Sequence, residues 1–181
     1  MSDTPDPAAS DDAAAEPVAA GTPTRHGAFV GTEQGDGIEV LHAGADTLIQ
    51  VVTALRDEGY GMLLDLTAVD YLTFAGPRSL PPEIEAGRFE VVIHLLSHRD
   101  RTRLRIKVQV DSADPVVPTL FDLYPGSENM EREVFDMFGI RFAQHPDMTR
   151  ILMPEDWVGH PLRKDYAVGR IPVQFKAGAE Q

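Results

Sequence analysis

Alternation marks two runs, 88–97 and 102–110, joined by His98, Arg99, Asp100 and Arg101. If Ser97 faces Thr102, then Leu95 faces Leu104, Ile93 faces Ile106, Val91 faces Val108 and Phe89 faces Val110, so one face of the pair is wholly apolar. The other face sets His94 against Arg105, Val92 against Lys107 and Arg88 against Asp111. The pattern predicts an antiparallel hairpin with one side on a core. The row Arg103, Arg105 and Lys107 on its polar side reads either as a solvated face that discourages edge pairing or as a docking patch.

Upstream, Ile38 to Leu41 reads as a short strand. Asp46 or Thr47 then stands as N-cap before Leu48, Val51, Val52 and Leu55, which recur at helical spacing, and Gly59 closes that helix. Met62 to Val69 is strand-like, and the Gly/Pro-rich stretch Ala75 to Gly87 reads as a surface loop. After Asp114 and Pro115, the set Val116, Val117, Leu120 and Phe121 predicts a short helix, ended by Pro125 and Gly126. A second helix is expected over Glu128–Phe138, with Ser127 as N-cap, Gly139 past its end and Met130, Val134, Met137 and Phe138 as its apolar stripe. Arg132 lies one turn from both Glu128 and Asp136 and is expected to form an ion-paired network with them.

Three segments follow from these elements: an acidic, Ala/Pro-rich tail over 1–24, an α+β domain over 25–125 carrying the hairpin, and the 126–181 region with the second helix and an extended end. The tail has no aromatic or long aliphatic side chain to offset the entropy of ordering, so it is read as disordered. Pro154, Pro161 and Pro172 keep 145–181 from becoming one long helix.

Composition narrows the chemistry. With 16 Lys+Arg against 29 Asp+Glu the net charge is −13, a field that repels nucleic-acid backbones and anionic lipid surfaces. No apolar run approaches a membrane span, and nothing at the N-terminus resembles a secretory signal, so a cytoplasmic position is expected. With no Cys among 181 residues, thiolate nucleophiles, disulfides and cysteine-ligated zinc or iron–sulfur clusters are excluded. His94 and His98 are a poor metal pair, one on a strand and one in its turn, and His145 and His160 have no third ligand at a standard spacing. Each of the latter two precedes a Pro and reads as a turn histidine bonded to backbone. Glu131 and Glu133 point to different faces of their helix and make no catalytic dyad; a hydrolase using His145, Asp147 and Glu155 has no nucleophile to serve.

The ordered string Glu131-Arg132-Glu133-Val134-Phe135-Asp136-Met137-Phe138-Gly139-Ile140, then Phe142, His145-Pro146-Asp147, Arg150-Ile151-Leu152, Pro154-Glu155-Asp156-Trp157 and Gly159-His160-Pro161-Leu162-Arg163-Lys164-Asp165-Tyr166 resembles the signature of the 30 kDa (C) subunit of respiratory complex I, NADH:quinone oxidoreductase. Asp65-Leu66-Thr67-Ala68-Val69-Asp70-Tyr71 and the hairpin resemble it more weakly, so the likeness spans about 38–166. One turn departs: Glu128-Asn129-Met130 stands where that family has Ala-Asn-Trp.

The resemblance implies an α+β fold, a mostly antiparallel sheet with helices packed on it, followed by an irregular extended C-terminal segment. It also implies a non-catalytic structural subunit of the peripheral arm, on the cytoplasmic side of the cell membrane. Such a subunit binds no cofactor itself: FMN and iron–sulfur clusters sit in partner subunits. It buttresses the quinone-reducing (D) subunit, with the B, I and G subunits as neighbours. A homologous subunit of a hydrogenase-type or ferredoxin-dependent membrane complex would carry the same motifs. Carried over to this sequence, the partner interface comprises Arg132, Glu133, Asp136, His145, Arg150, Trp157, His160, Arg163, Lys164, Asp165 and Tyr166. Trp157 and Tyr166, with Ile151 and Leu162, are the kinds of anchor that dominate interfaces. Arg150, Arg163 and Lys164 would rim them with positive charge, which predicts an acidic partner surface.

Overall fold

In the computed structural model, residues 21–32 and 36–167 are described. Strands β1 (Thr24–Arg25), β2 (Ala28–Thr32), β3 (Glu39–Ala43), β4 (Met62–Asp70), β5 (Phe89–Ser97) and β6 (Thr102–Val110) form one sheet in the order β1-β2-β3-β6-β5-β4. Only β3 and β6 run parallel; every other neighbouring pair is antiparallel. The parallel pair within this sheet follows from α1 (Leu48–Glu58), which carries the chain from β3 across the apolar face to β4. The fold is thus α+β on a mostly antiparallel sheet.

The hairpin forms in the register that side-chain alternation dictates, from Ser97 opposite Thr102 to Phe89 opposite Val110. Its apolar face is fully covered: Phe89, Val91, Ile93, Leu95, Leu104, Ile106 and Val108 have no solvent exposure. Leu48, Val51, Val52 and Leu55 of α1 close the same core. So do Val134, Met137 and Phe138 of α2 (Glu128–Phe138). Gly59 and Gly139 end the two helices in the left-handed region, at φ +116° and +72°, as C-terminal glycines do.

Several local expectations change. Thr47 occupies the N-cap position of α1, but its hydroxyl accepts the Gly44 N–H and leaves the helix uncapped by a side chain. Ser127 precedes α2 in a turn of 3-10 helix over Pro125–Ser127 and donates its hydroxyl to Glu131 instead of capping. The helix expected around Val116 is strand β7 (Val116–Pro118), paired in parallel with β8 (Arg141–Ala143). Two β-branched residues before Pro118 favour an extended chain, and Val117 fits beside Phe142 in the core.

The paired register ends at Phe89 opposite Val110, and the Arg88 side chain bonds Asp70 and Asp165. On the polar face of the sheet, Arg103 is exposed, whereas Arg105 donates to His94 and Asp36 and Lys107 lies 3.6 Å from Glu90. That row is therefore neither wholly solvated nor wholly free to dock. The end of the expected tail belongs to the fold: Thr22 bonds Glu83, and Thr24 begins β1. The rest of the tail, 1–20, and the end of the extended segment, 168–181, lie outside the described residues.

Candidate partner-docking segment

Helix α2 buries two carboxylates, Glu131 and Asp136, each with no solvent exposure. An ionised carboxylate tolerates burial only when its lone pairs are met by donors. Glu131 is met by the Thr119 hydroxyl at 2.5 Å, the Leu120 N–H at 2.8 Å and the Ser127 hydroxyl at 2.7 Å. It ties the turn before α2 to the chain leaving β7. No spacing rule marks this role, because its partners lie on an irregular stretch.

Asp136 performs the equivalent task for the C-terminal segment. One carboxylate oxygen accepts the N–H groups of Ile151, Leu152 and Met153 at 3.1, 2.8 and 2.8 Å, and the other takes the Arg150 guanidinium at 2.5 Å. Burial alone would raise its pKa, but these four donors outweigh it and hold Asp136 below the ordinary carboxylate range. The Asp136 carbonyl accepts from His160 Nδ1 at 2.9 Å, which fixes that nitrogen as the protonated one. Burial lowers the His160 pKa from its ordinary value. Arg150 also donates to the Gly159 carbonyl, Leu162 N–H to the Met137 carbonyl and Arg163 to the Phe138 carbonyl. The orphan carbonyls at the end of α2 are thus satisfied by the segment that folds back over them.

Arg132 does not pair with Glu128 or Asp136. It crosses to the Thr149 carbonyl and hydroxyl and the Arg150 carbonyl, because Asp136 is already consumed by 150–153. His145 is a backbone-bonded turn residue, with Nε2 3.1 Å from the Glu128 carbonyl and Nδ1 accepting the Asp147 N–H. The far end of the segment is pinned to the sheet. Asp70 accepts the Lys164 N–H and both arms of Arg88, which also reaches Asp165 at 2.8 Å. Burial pushes the Asp70 pKa up, but Arg88 and the Lys164 and Leu72 N–H groups draw it down to about 2.

Of the residues assigned to the interface, Asp136, His145, Arg150, His160 and Arg163 thus spend their polar groups inside the chain. Glu133, Lys164 and Asp165 are exposed, and Trp157 and Tyr166 are half-buried. The Trp157 Nε1 is buried without a hydrogen-bond partner. Within the segment, Ile151, Leu152, Val158 and Leu162 are apolar side chains left exposed. Among the described residues no group of three or more His, Asp or Glu side chains could hold a metal ion, and no helix is long and apolar enough to cross a membrane.

The mostly antiparallel sheet with two helices packed on it is a fold known from solved structures. The fold matches "Nqo5 of the trypsin-resistant fragment (1-134)" with a TM-score of 0.59 and 32% identity, over 67% of this chain and 89% of that one. It also matches a chain in the structure of a membrane-bound sulfane sulfur reductase, an archaeal respiratory membrane complex, with a TM-score of 0.64 over 86% of this chain and 90% of that one; at 23% identity this likeness concerns the fold alone.

Sequence comparison is more specific. Residues 41–171 match the family "Respiratory-chain NADH dehydrogenase, 30 Kd subunit", and the chain belongs to that family. It is 44% identical over 151 residues to the C subunit of NADH-quinone oxidoreductase from Roseiflexus castenholzii, covering 82% of this chain and 80% of the relative. It is 44% identical over 141 residues to the corresponding subunit of Moorella thermoacetica, covering 76% and 87%. With NADH-quinone oxidoreductase subunit 5 of Thermus thermophilus the identity is 45% over 125 residues, 66% of this chain and 57% of that one.

Proposed function

We propose that this chain is a non-catalytic structural subunit of the peripheral arm of a membrane-bound NADH:quinone oxidoreductase, at the cytoplasmic face, and that it buttresses the quinone-reducing (D) subunit. The observation that carries the reading is the 145–166 segment. It has no core of its own, is fastened to α2 and β4 by polar contacts, and leaves Ile151, Leu152, Val158 and Leu162 in solvent. A stretch built this way gains by covering those side chains with a partner. That residues 1–134 of Nqo5 form a trypsin-resistant fragment fits an arrangement in which a compact domain carries a more accessible remainder.

Electron transfer falls to partner subunits that hold FMN and iron–sulfur clusters, since a chain with no Cys offers no thiolate to a cluster. The B, I and G subunits are the neighbours this reading places beside the quinone-reducing one. A place in a hydrogenase-type or ferredoxin-dependent complex is the alternative. The NADH-quinone oxidoreductase names of relatives at 44–45% identity favour the first.

The test is replacement in the native host by a chain ending at Gln144. The expected result is loss of quinone reduction through loss of assembled complex; a fully assembled complex with normal quinone reduction refutes the docking role. A Trp157→Ala replacement should weaken retention in the complex by about 2 kcal/mol, the cost of losing a buried aromatic anchor.

A further inference from the structure

We infer that the docking face of this segment is an apolar patch with an acidic rim, and that it fits a protein partner presenting an apolar groove bordered by Lys and Arg. This rests on the docking role proposed above and reverses the charge that the sequence alone suggests for the partner.

Of the two arginines expected to rim the patch, neither offers its charge outward. Arg150 is spent on the Asp136 carboxylate and the Gly159 carbonyl. Arg163 bonds the Phe138 carbonyl and lies 5.3 Å over the Phe89 ring. Arg132 likewise points inward, to the Thr149 and Arg150 carbonyls. Among the cations of 145–166, only Lys164 is exposed.

The carboxylates have the opposite fate. Asp147 and Asp165 keep about half of their side-chain surface in solvent, at 51% each, and Glu155 and Asp156 are exposed. Asp165 is paired with Arg88, which leaves Glu155 and Asp156, between the exposed pairs 151–152 and 158, and the half-exposed Asp147 as three acidic groups against one exposed Lys along the stretch that carries the apolar side chains. The stretch that carries them is drawn together by polar contacts: the Arg150 guanidinium reaches the Gly159 carbonyl, and the Leu162 N–H bonds the Met137 carbonyl at the end of α2. A second copy of the chain, at net −13, would meet this rim with like charge, as would an anionic lipid surface. A basic-rimmed groove on another protein is what charge complementarity leaves.

The test uses the assembled complex from the native host, purified through a tag on the quinone-reducing subunit, with this chain replaced by variants. Retention is measured after washing at about 0.15 M and about 0.5 M NaCl, salt levels that differ in how far they screen exposed charges. The Glu155→Lys/Asp156→Lys pair should cut retention roughly tenfold, as a like-charge rim contact does, and Lys164→Glu should leave it unchanged or raise it. The milder Glu155→Gln/Asp156→Asn pair should fall between, with the melting temperature of the purified chain unchanged for all three. Loss with Lys164→Glu and tolerance of Glu155→Lys/Asp156→Lys would overturn the acidic-rim proposal while sparing the docking role. Loss of neither charge variant, with loss of Ile151→Ser/Leu152→Ser, overturns it too. Normal retention of Ile151→Ser/Leu152→Ser would instead refute docking through this segment. Self-association of the purified chain that Ile151→Ser/Leu152→Ser abolishes would show a second copy as occupant and sink the proposal.

Discussion

The β5–β6 hairpin and the 145–166 segment are held in place by opposite means. The hairpin buries a continuous apolar face against α1 and α2, and its register is fixed because a slip of one residue would turn Ile93 and Leu104 to the polar side. The segment buries little. It is positioned by two carboxylates, Asp136 and Asp70, that gather backbone N–H groups and guanidiniums from residues far along the chain. Hydrophobic burial gives a region that is stable by itself; polar fastening gives one that is shaped but still presents apolar side chains outward. The difference suits the docking role proposed above, in which the chain folds first and is covered afterwards.

The largest effect expected to break this contrast is Asp136→Ala. It strands the Arg150 guanidinium and three N–H groups, and removing one partner of a buried pair costs about 3–5 kcal/mol. Hydrogen exchange should accelerate across 150–163 while the hairpin amides stay slow. Unchanged exchange in 150–163 would show that the segment is held by its apolar contacts after all. The complementary replacement, Ile93→Ala, should cost about 2–5 kcal/mol by transfer and cavity terms, read by denaturant unfolding. It should lower the stability of the whole domain, and a loss confined to the segment would contradict the division.

The two regions also differ in how far their sequences reveal them. The hairpin register, both helices and their terminal glycines were legible because they follow periods of two and 3.6 and a left-handed C-terminal position. Strand β7 was not, since Val116, Val117, Leu120 and Phe121 suit either a helix or a short strand, and its partner Arg141–Ala143 lies beyond α2. The polar fastenings were illegible for a stronger reason. Arg132 stands at helical spacing from Asp136, so local spacing pairs them; the tertiary fold gives Asp136 three N–H donors from 151–153, and Arg132 turns elsewhere. A count of Arg and Lys along 145–166 likewise cannot tell that Arg150 and Arg163 are consumed inside the chain.

Acid should open the contrast further. Asp70 has its carboxyl drawn from 3.8 to about 2 in the folded chain, so its contribution is present above the unfolded pKa and is lost as pH falls from about 4 through 2. At about 1.4 kcal/mol per pH unit this amounts to about 2 kcal/mol. Asp136 is shifted in the same direction and adds to the same acid loss. Melting temperatures followed between pH 5 and pH 2 should fall, and Asp70→Asn should flatten that fall; an equal slope in the variant would remove Asp70 from the account.

The smallest effect separates tertiary from local pairing on α2. Were Arg132 bound to Glu128 and Asp136, its removal would leave buried charge uncompensated and cost as much as Asp136→Ala. The structure instead gives it neutral acceptors, the Thr149 carbonyl and hydroxyl and the Arg150 carbonyl, with Asp147 only at 3.9 Å. Those carbonyls lie near the surface, where water replaces the lost donor, so Arg132→Ala should cost about 1 kcal/mol. Exchange should quicken at Thr149 and Arg150 and stay unchanged at Ile151–Met153, which Asp136 still holds. A loss of several kcal/mol, or release of 151–153 together with 149–150, would restore the helical ion-pair network and make the segment depend on α2 through Arg132 as well.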